Sequence, residues 1–286
     1  MKKVSLILTA AVLLVTVGAA LSSCSSVSDS AGLAYIEENG SITITGMGSC
    51  DDTVLRIPKK IGETPVTAIA SCAFEDADIT GVNIPDSVTS LGEDAFEGCE
   101  KLTRAALPGS LTRIPDNCFK NCTALKTLAL ENGVVTIGRS AFENCPSLTS
   151  LFVPSSVTEL EKRAFAECRS LACAEFDKGV RTVGDEAFMN CRSLKTVKLP
   201  KSLENIGKRA FSGCSSLEDF IVPKGVVDLG KNVFEGCENL NKLKFERPAG
   251  WQNSDGGTQA PPDFGDPKQA AEFFRGGQPP ISTARP

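Results

Sequence analysis

The sequence predicts a repeat solenoid of about eight 23-residue coils, each adding short parallel strands to a sheet that runs the length of the array. Three observations predict it. Phenylalanine recurs in one column, at Phe74, Phe96, Phe119, Phe142, Phe165, Phe188, Phe211 and Phe234, 22 residues apart at the first step and 23 at each later one. Other columns keep step with it: Cys99, Cys122, Cys145, Cys168, Cys191, Cys214 and Cys237 stand three residues on, and Leu102, Leu125, Leu148, Leu171, Leu194, Leu217 and Leu240 three beyond those. After each leucine comes an alternating stretch such as Leu148, Leu151, Val153, whose period of two is that of a strand. A unit this short cannot bury its own apolar face and must stack on its neighbours.

Within one coil the alternating strand stops at Pro85, Pro108, Pro154, Pro200 or Pro223. Glu131-Asn132-Gly133, Asp177-Lys178-Gly179 and Pro223-Lys224-Gly225 then supply residues that tolerate positive φ for a turn. A second extended piece, Val157 to Leu160 or Val180 to Val183, leads back to the next Ala-Phe segment. At about 4.8 Å per rung, eight coils make a rod roughly 40 Å long. The seven column cysteines then lie one coil apart with parallel, inward side chains, near the rung distance or farther. A disulfide needs Cβ atoms about 3.5 to 4.5 Å apart on converging vectors, so the column reads as a ladder of buried thiols that act as small apolar residues. Zinc is the alternative, since Cys118 and Cys122 are four apart, but Cys118 falls in the alanine column and Cys122 in the ladder. Strand alternation points Cys173 outward, as a free, modifiable thiol.

Taken from the N-terminus, Met1-Lys2-Lys3 and the apolar run Val4 to Leu21 have the form of a secretory signal over residues 1–23; a membrane span is the competing reading. Small polar residues 24–32 are expected to form a flexible tether. Glu38-Asn39-Gly40, between two short extended runs, predicts a hairpin, and residues 33–53 are read as a cap over the open end of the array. Residues 54–246 form the solenoid, the first coil, 54–69, being degenerate. From 247 to 286 proline, glycine, glutamine and serine dominate, and the expectation is mostly disorder. One helix is predicted inside this tail, over 267–275: Asp266 is a capping side chain, Pro267 suits the first helical position, and Gly276-Gly277 end the run.

Units such as Val134-Val135-Thr136-Ile137-Gly138-Arg139-Ser140-Ala141-Phe142-Glu143-Asn144-Cys145 resemble the leucine-rich repeats of the BspA type, found in bacterial surface and secreted proteins. The resemblance covers 54–246. It implies a curved leucine-rich-repeat arc with adhesion or protein binding as the usual role, no catalytic residues and no cofactor, and it transfers no particular partner. Leu21-Ser22-Ser23-Cys24 resembles the bacterial lipobox, which implies cleavage before Cys24 and a lipid on its thiol. The protein would then be exported and anchored at a membrane or cell surface without a spanning helix.

Composition narrows the function further. Without the signal, 28 basic face 35 acidic side chains, a net charge of −7, which argues against nucleic acid. The absence of histidine excludes Ser-His and Cys-His nucleophile pairs and histidine zinc sites. Paired carboxylates such as Glu159 and Glu161, or Asp185 and Glu186, stand at variable repeat positions and read as a solvated face rather than as glycosidase acids. The surface best suited to a protein or glycan partner is the outer side of the strand sheet. Alternation places Asn83, Ala106, Ala129, Phe152, Glu175, Lys198, Ile221 and Lys244 there in one column, beside Arg104, Thr127, Ser150, Thr196, Asp219 and Lys242. Arg104, Phe152, Glu175, Lys198, Ile221 and Lys244 are the candidate partner-binding residues. Three classes of function remain: an anchored adhesin or recognition scaffold, a structural protein that self-assembles or spaces, and, third, a glycan-acting enzyme.

Overall fold

The computed structural model of the chain describes residues 29–247, 251–253, 266–275 and 281–283. The chain coils as a parallel β-solenoid of about nine turns with little helix. Nine turns rather than eight arise because the degenerate first coil completes a rung, Val54–Arg56, which pairs in parallel with Gly81–Asn83. Rungs of this first strand column continue with Arg104–Leu107, Thr127–Leu130, Ser150–Val153, Cys173–Phe176, Thr196–Lys198, Asp219–Val222 and Lys242–Phe245. A second column of two-residue strands, Arg113–Ile114 through Asp228–Leu229, forms a sheet of its own on the return leg of each coil. Where strands pair, each residue faces its equivalent one repeat away, as Thr182↔Asn205↔Asp228, so equivalent side chains stack on one another. The first column does not form the single expected sheet: its pairing is broken between Thr127–Leu130 and Ser150–Val153 and between Thr196–Lys198 and Asp219–Val222.

Aromatic rings stack in the phenylalanine column. All eight rings are buried, with successive centroids 5.0 to 6.0 Å apart and planes within 17° of parallel. The backbone that holds them is not strand. Residues two before and two after every phenylalanine have positive φ; among them are Asn121 (62°), Arg163 (60°), Glu186 (57°) and Gly236 (75°). Left-handed residues alternating with right-handed ones turn successive N–H groups the same way. Asn117, Phe119 and Asn121 donate to the carbonyls of Arg139, Ala141 and Glu143 on the next coil, at 2.8 to 2.9 Å. A third ladder therefore runs along the array, formed by a segment with no regular secondary structure.

The glycines expected to supply positive φ in the turn after each strand behave otherwise. Only Gly133 has it (141°); Gly179 and Gly225 do not. There the requirement is room, since a Cβ on Gly179 would lie 2.0 Å from the Ser155 carbonyl oxygen and one on Gly225 2.5 Å from that of Lys201.

Both ends of the array are covered. At the N-terminus, Ala34–Glu38 and Ser41–Gly46 form an antiparallel hairpin about Asn39 (φ 51°) and Gly40 (φ 73°), and the second strand pairs in parallel with Thr64–Ile69. The tether expected over 24–32 is ordered where it is described. Ser30 is buried, its N–H donating to the Arg56 carbonyl (2.9 Å) and its hydroxyl to Asp52 (2.6 Å), while the Arg56 N–H donates to its Oγ (3.0 Å). A small polar segment becomes fixed here because the first rung has an open edge to pair with.

The tail likewise carries more structure than its composition predicts. The helix Pro267–Arg275 buries Ala270, Ala271 and Phe274, and Asp266 Oδ1 accepts the N–H groups of Lys268 (2.9 Å) and Gln269 (3.4 Å) at its start. Phe274 stands edge-on to Phe234, the last ring of the stack, at 6.0 Å and 86°. Ile281–Thr283 pairs antiparallel with Asp228–Leu229, and Trp251–Asn253 pairs with it in turn. The last coil leaves an apolar end and a strand edge, and burying both offsets the cost of ordering these few residues. The expected signal peptide over 1–23, Cys24 and the remaining tail lie outside the described residues.

Candidate interaction face

The first strand column positions the candidate face. Inward residues such as Ala105, Leu151, Ala174, Phe220 and Leu243 are buried, and the intervening ones point outward. Register is kept from rung to rung: Asn83↔Ala106↔Ala129, Phe152↔Glu175↔Lys198 and Ile221↔Lys244 form the central column, and Arg104↔Thr127, Ser150↔Cys173↔Thr196 and Asp219↔Lys242 the one beside it. Arg104, Phe152, Lys198, Ile221 and Lys244 are exposed and Glu175 is half-buried. Phe152 is 56% and Ile221 52% exposed. They stand three coils apart in one column, about 14 Å, and between them Glu175 and Lys198 are joined by an ion pair. Hydrogen bonding to Glu175 raises Lys198 above its ordinary value. A third exposed apolar group, Val135, 41% exposed, is not on this face but at the start of the second column.

Behind this face lie the cysteines. Each of Cys99, Cys122, Cys145, Cys168, Cys191, Cys214 and Cys237 is buried and free, and donates its Sγ–H to the carbonyl of the phenylalanine one coil earlier at 3.1 to 3.3 Å. A thiol at this place thus adds a weak hydrogen bond to a carbonyl otherwise served only by a long turn contact, such as Cys122 N–H to Phe119 O at 3.4 Å. Burial pushes Cys99, Cys168 and Cys237 up to about 12 and raises the other four. Cys118 is buried in the alanine column, Cys50 and Cys173 are half-buried, and Cys72 is exposed. Among the described residues no three Cys, Asp or Glu side chains are gathered as a metal would require.

Of the four carboxylates weighed as acid-base candidates, Glu159 is exposed and the other three are engaged in bracing coils. Glu161 accepts from Arg113 at 2.6 Å, Asp185 from the Lys208 N–H at 2.7 Å, and Glu186 from Arg163 at 2.8 Å. Arg163 also holds Glu143 at 2.5 Å, and so links three coils. Burial raises Glu143, but hydrogen bonds from Arg163 and Ser140 outweigh it and hold the carboxyl below its ordinary value. An open groove of about 450 Å³ runs along the second column beside Gly184, Gly207 and Gly230, rimmed by Asp185, Lys208 and Lys231 and closed at one end by Ile281. No sequence signal beyond the recurring glycine pointed to it.

Comparison with known proteins agrees with this architecture. The model of the BspA type leucine rich repeat region matches residues 53–172 and 161–250, in six copies. A leucine-rich-repeat protein from T. pallidum is 30% identical, with 65% of this chain and 88% of that one covered and a TM-score of 0.61. A leucine-rich cell surface protein from Faecalibacterium prausnitzii is 29% identical, with 82% of this chain but 57% of that one covered and a TM-score of 0.56. No curated protein matches the sequence. No helix among the described residues is long and apolar enough to cross a membrane. With its repeats in register over 53–250 and its coils built as in these relatives, the chain belongs to the BspA-type leucine-rich-repeat family.

Proposed function

We propose that this bacterial leucine-rich-repeat protein is a surface lipoprotein: an N-terminal signal exports it, a lipid on Cys24 holds it to the membrane, and its strand face recognises a protein or glycan. The observation that carries the recognition is the pair of exposed apolar side chains, Phe152 and Ile221, on either side of the Glu175–Lys198 ion pair. A stacked core fixes the rungs beneath them, so little ordering is left to be done on binding, and an apolar anchor ringed by polar groups is the usual composition of a contact hot spot. The F. prausnitzii relative, described as a cell surface protein, supports the location. This reading assigns no catalytic residue and no cofactor.

The test is a binding screen against matrix proteins, bacterial surfaces and glycans, repeated with Phe152→Ser/Ile221→Ser. Folding unchanged by circular dichroism with binding weakened at least about tenfold, the equivalent of 1.4 kcal/mol, supports the assignment; undiminished binding by the folded double variant removes it. For the anchor, metabolic labelling with a fatty acid should mark the wild type and not Cys24→Ala, which should leave the membrane fraction. Equal labelling of both would end the lipoprotein reading.

A further inference from the structure

Stacked charges in this array are generally of opposite sign: Glu97 beneath Lys120, Glu175 beneath Lys198, Arg181 beneath Glu204, Asp219 beneath Lys242. Like charges also stack, at Arg169 and Arg192 and at Lys208 and Lys231, and the longest such run is basic. Lys178, Lys201 and Lys224 occupy the same place in three consecutive coils, one residue past the end of the first-column leg, where it turns toward the second column. All three are exposed, and none forms an ion pair among the described residues. Registered second-column strands immediately after them, Thr182↔Asn205↔Asp228, keep the coils in step, so the backbone positions of the three lysines repeat at one-coil spacing, about 4.8 Å. Like charges stacked in register repel, and no salt bridge among the described residues relieves it.

We propose that this ridge is a docking site for a linear acidic polysaccharide lying along the axis of the array. Charge complementarity selects an anion, and the regular spacing selects a polymer with acidic groups at regular intervals over the irregular surface of an ordinary globular protein. Two carboxylates flank the lysines: Asp177 Oδ1 accepts the Lys178 backbone N–H (2.8 Å) and Glu246 Oε2 that of Lys224 (3.1 Å), whereas the strand legs beside Lys201 end in Pro200 and Pro223. The next place in the column holds Arg247, which extends the basic run past Lys224. The ridge's place in the array is also set by charge. Over 29–150 acidic side chains outnumber basic ones 17 to 9, while over 151–247 basic ones lead 16 to 14. Equivalent positions in the earlier coils hold Asp86, Gly109, Asn132 and Ser155. A polyanion is repelled by the first half and received by the second.

The experiment measures retention of the purified full chain on immobilised polygalacturonate over a salt series. It compares wild type with Lys178→Gln/Lys201→Gln/Lys224→Gln and with Lys59→Gln/Lys60→Gln/Lys101→Gln, which removes the same charge elsewhere. The site predicts wild-type binding that salt abolishes, a loss of at least about tenfold in the ridge variant, and a log–log salt slope smaller by roughly two; the control triple stays within about twofold. Phe152→Ser/Ile221→Ser shares no residue with the ridge and leaves retention unchanged, which separates this proposal from the strand-face reading. No wild-type retention, equal retention by the ridge variant, or equal loss in the control triple overturns it. So does binding of polyglutamate alone through these lysines, which would make the partner an acidic protein. Low-salt self-association abolished by the ridge variant, with no polysaccharide bound, would place the acidic first coils of a second copy there instead and equally ends the proposal.

Discussion

Replacing Phe142 with alanine removes a ring from the middle of the stack. Its side chain is fully buried and lies between Phe119, at 5.3 Å and 3°, and Phe165, at 5.1 Å and 6°. Truncating a buried phenylalanine costs about 3 to 5 kcal/mol, and two ring contacts of about 0.5 to 1.5 kcal/mol each place this site toward the top of that range. The backbone ladder survives the change, because the Phe142 N–H to Ala164 carbonyl bond (2.8 Å) involves no side chain. A loss of about 4.5 kcal/mol, divided by a urea dependence of about 3 kcal/mol per molar for a chain of this size, lowers the unfolding midpoint by about 1.5 M. Since each coil touches only its neighbours, the loss also divides the array, and the transition followed by far-UV circular dichroism should broaden or split. Phe152→Ala, at 56% exposure, should change the midpoint by less than about 0.3 M. If Phe142→Ala were as mild, or Phe152→Ala as severe, the stacked core would not be what stabilises the array.

Three further outcomes are expected. Buried thiols pushed up to about 12 at Cys99, Cys168 and Cys237, and raised at Cys118, Cys122, Cys145, Cys191 and Cys214, ionise near the ordinary 9.0 once unfolded. Their contribution is intact below pH 9 and is lost as pH rises from 9 toward 12, at about 1.4 kcal/mol per thiol per pH unit; urea midpoints under reducing conditions should fall steeply above pH 9, less so for Cys145→Ala, and a flat profile would contradict this. Arg163→Ala leaves Glu143 and Glu186 unpaired and should cost about 1 to 2 kcal/mol, discounted for partial exposure. Because Glu143 is held below its ordinary value, wild type loses this stabilisation as pH falls through the acid range and the variant has less to lose, so parallel acid profiles would count against it. Phe274→Ala should undock the tail helix at a cost of about 3 kcal/mol, seen as fast amide exchange over 267–275 with the central coils still protected.

How much of this was legible follows from what fixes each residue type. The phenylalanine, cysteine and leucine columns are readable because a buried place in a repeating coil accepts only side chains of one size, and 23-residue recurrence exposes that constraint. The tail helix was readable from Asp266 and Pro267, whose chemistry is local. The left-handed residues beside each phenylalanine were only half visible: asparagine, aspartate or glycine marks most of the downstream ones, but Arg163, Glu186 and Arg209 give no such sign upstream. There the conformation is imposed by hydrogen bonds to the next coil against the residue's own preference, at about 1 kcal/mol or more each. Gly179 and Gly225 misled for a related reason: they answer to a neighbouring coil's carbonyl, which single-sequence turn rules do not see. Ser30 and the tail strand Ile281–Thr283 have unremarkable sequences and are ordered by the edges they cover. The candidate face was legible by alternation, whereas the lysine ridge shows only when coils are superposed.

The central claim is that coil piled on coil seals the cysteine ladder away from water, and labelling of thiols in the native chain tests it most directly. Alkylation at neutral pH under reducing conditions, read by peptide mass spectrometry, should modify Cys50, Cys72 and Cys173 while Cys99, Cys118, Cys122, Cys145, Cys168, Cys191, Cys214 and Cys237 react only after denaturant is added. Rapid native labelling of the ladder cysteines, or disulfides found among them, would contradict the account.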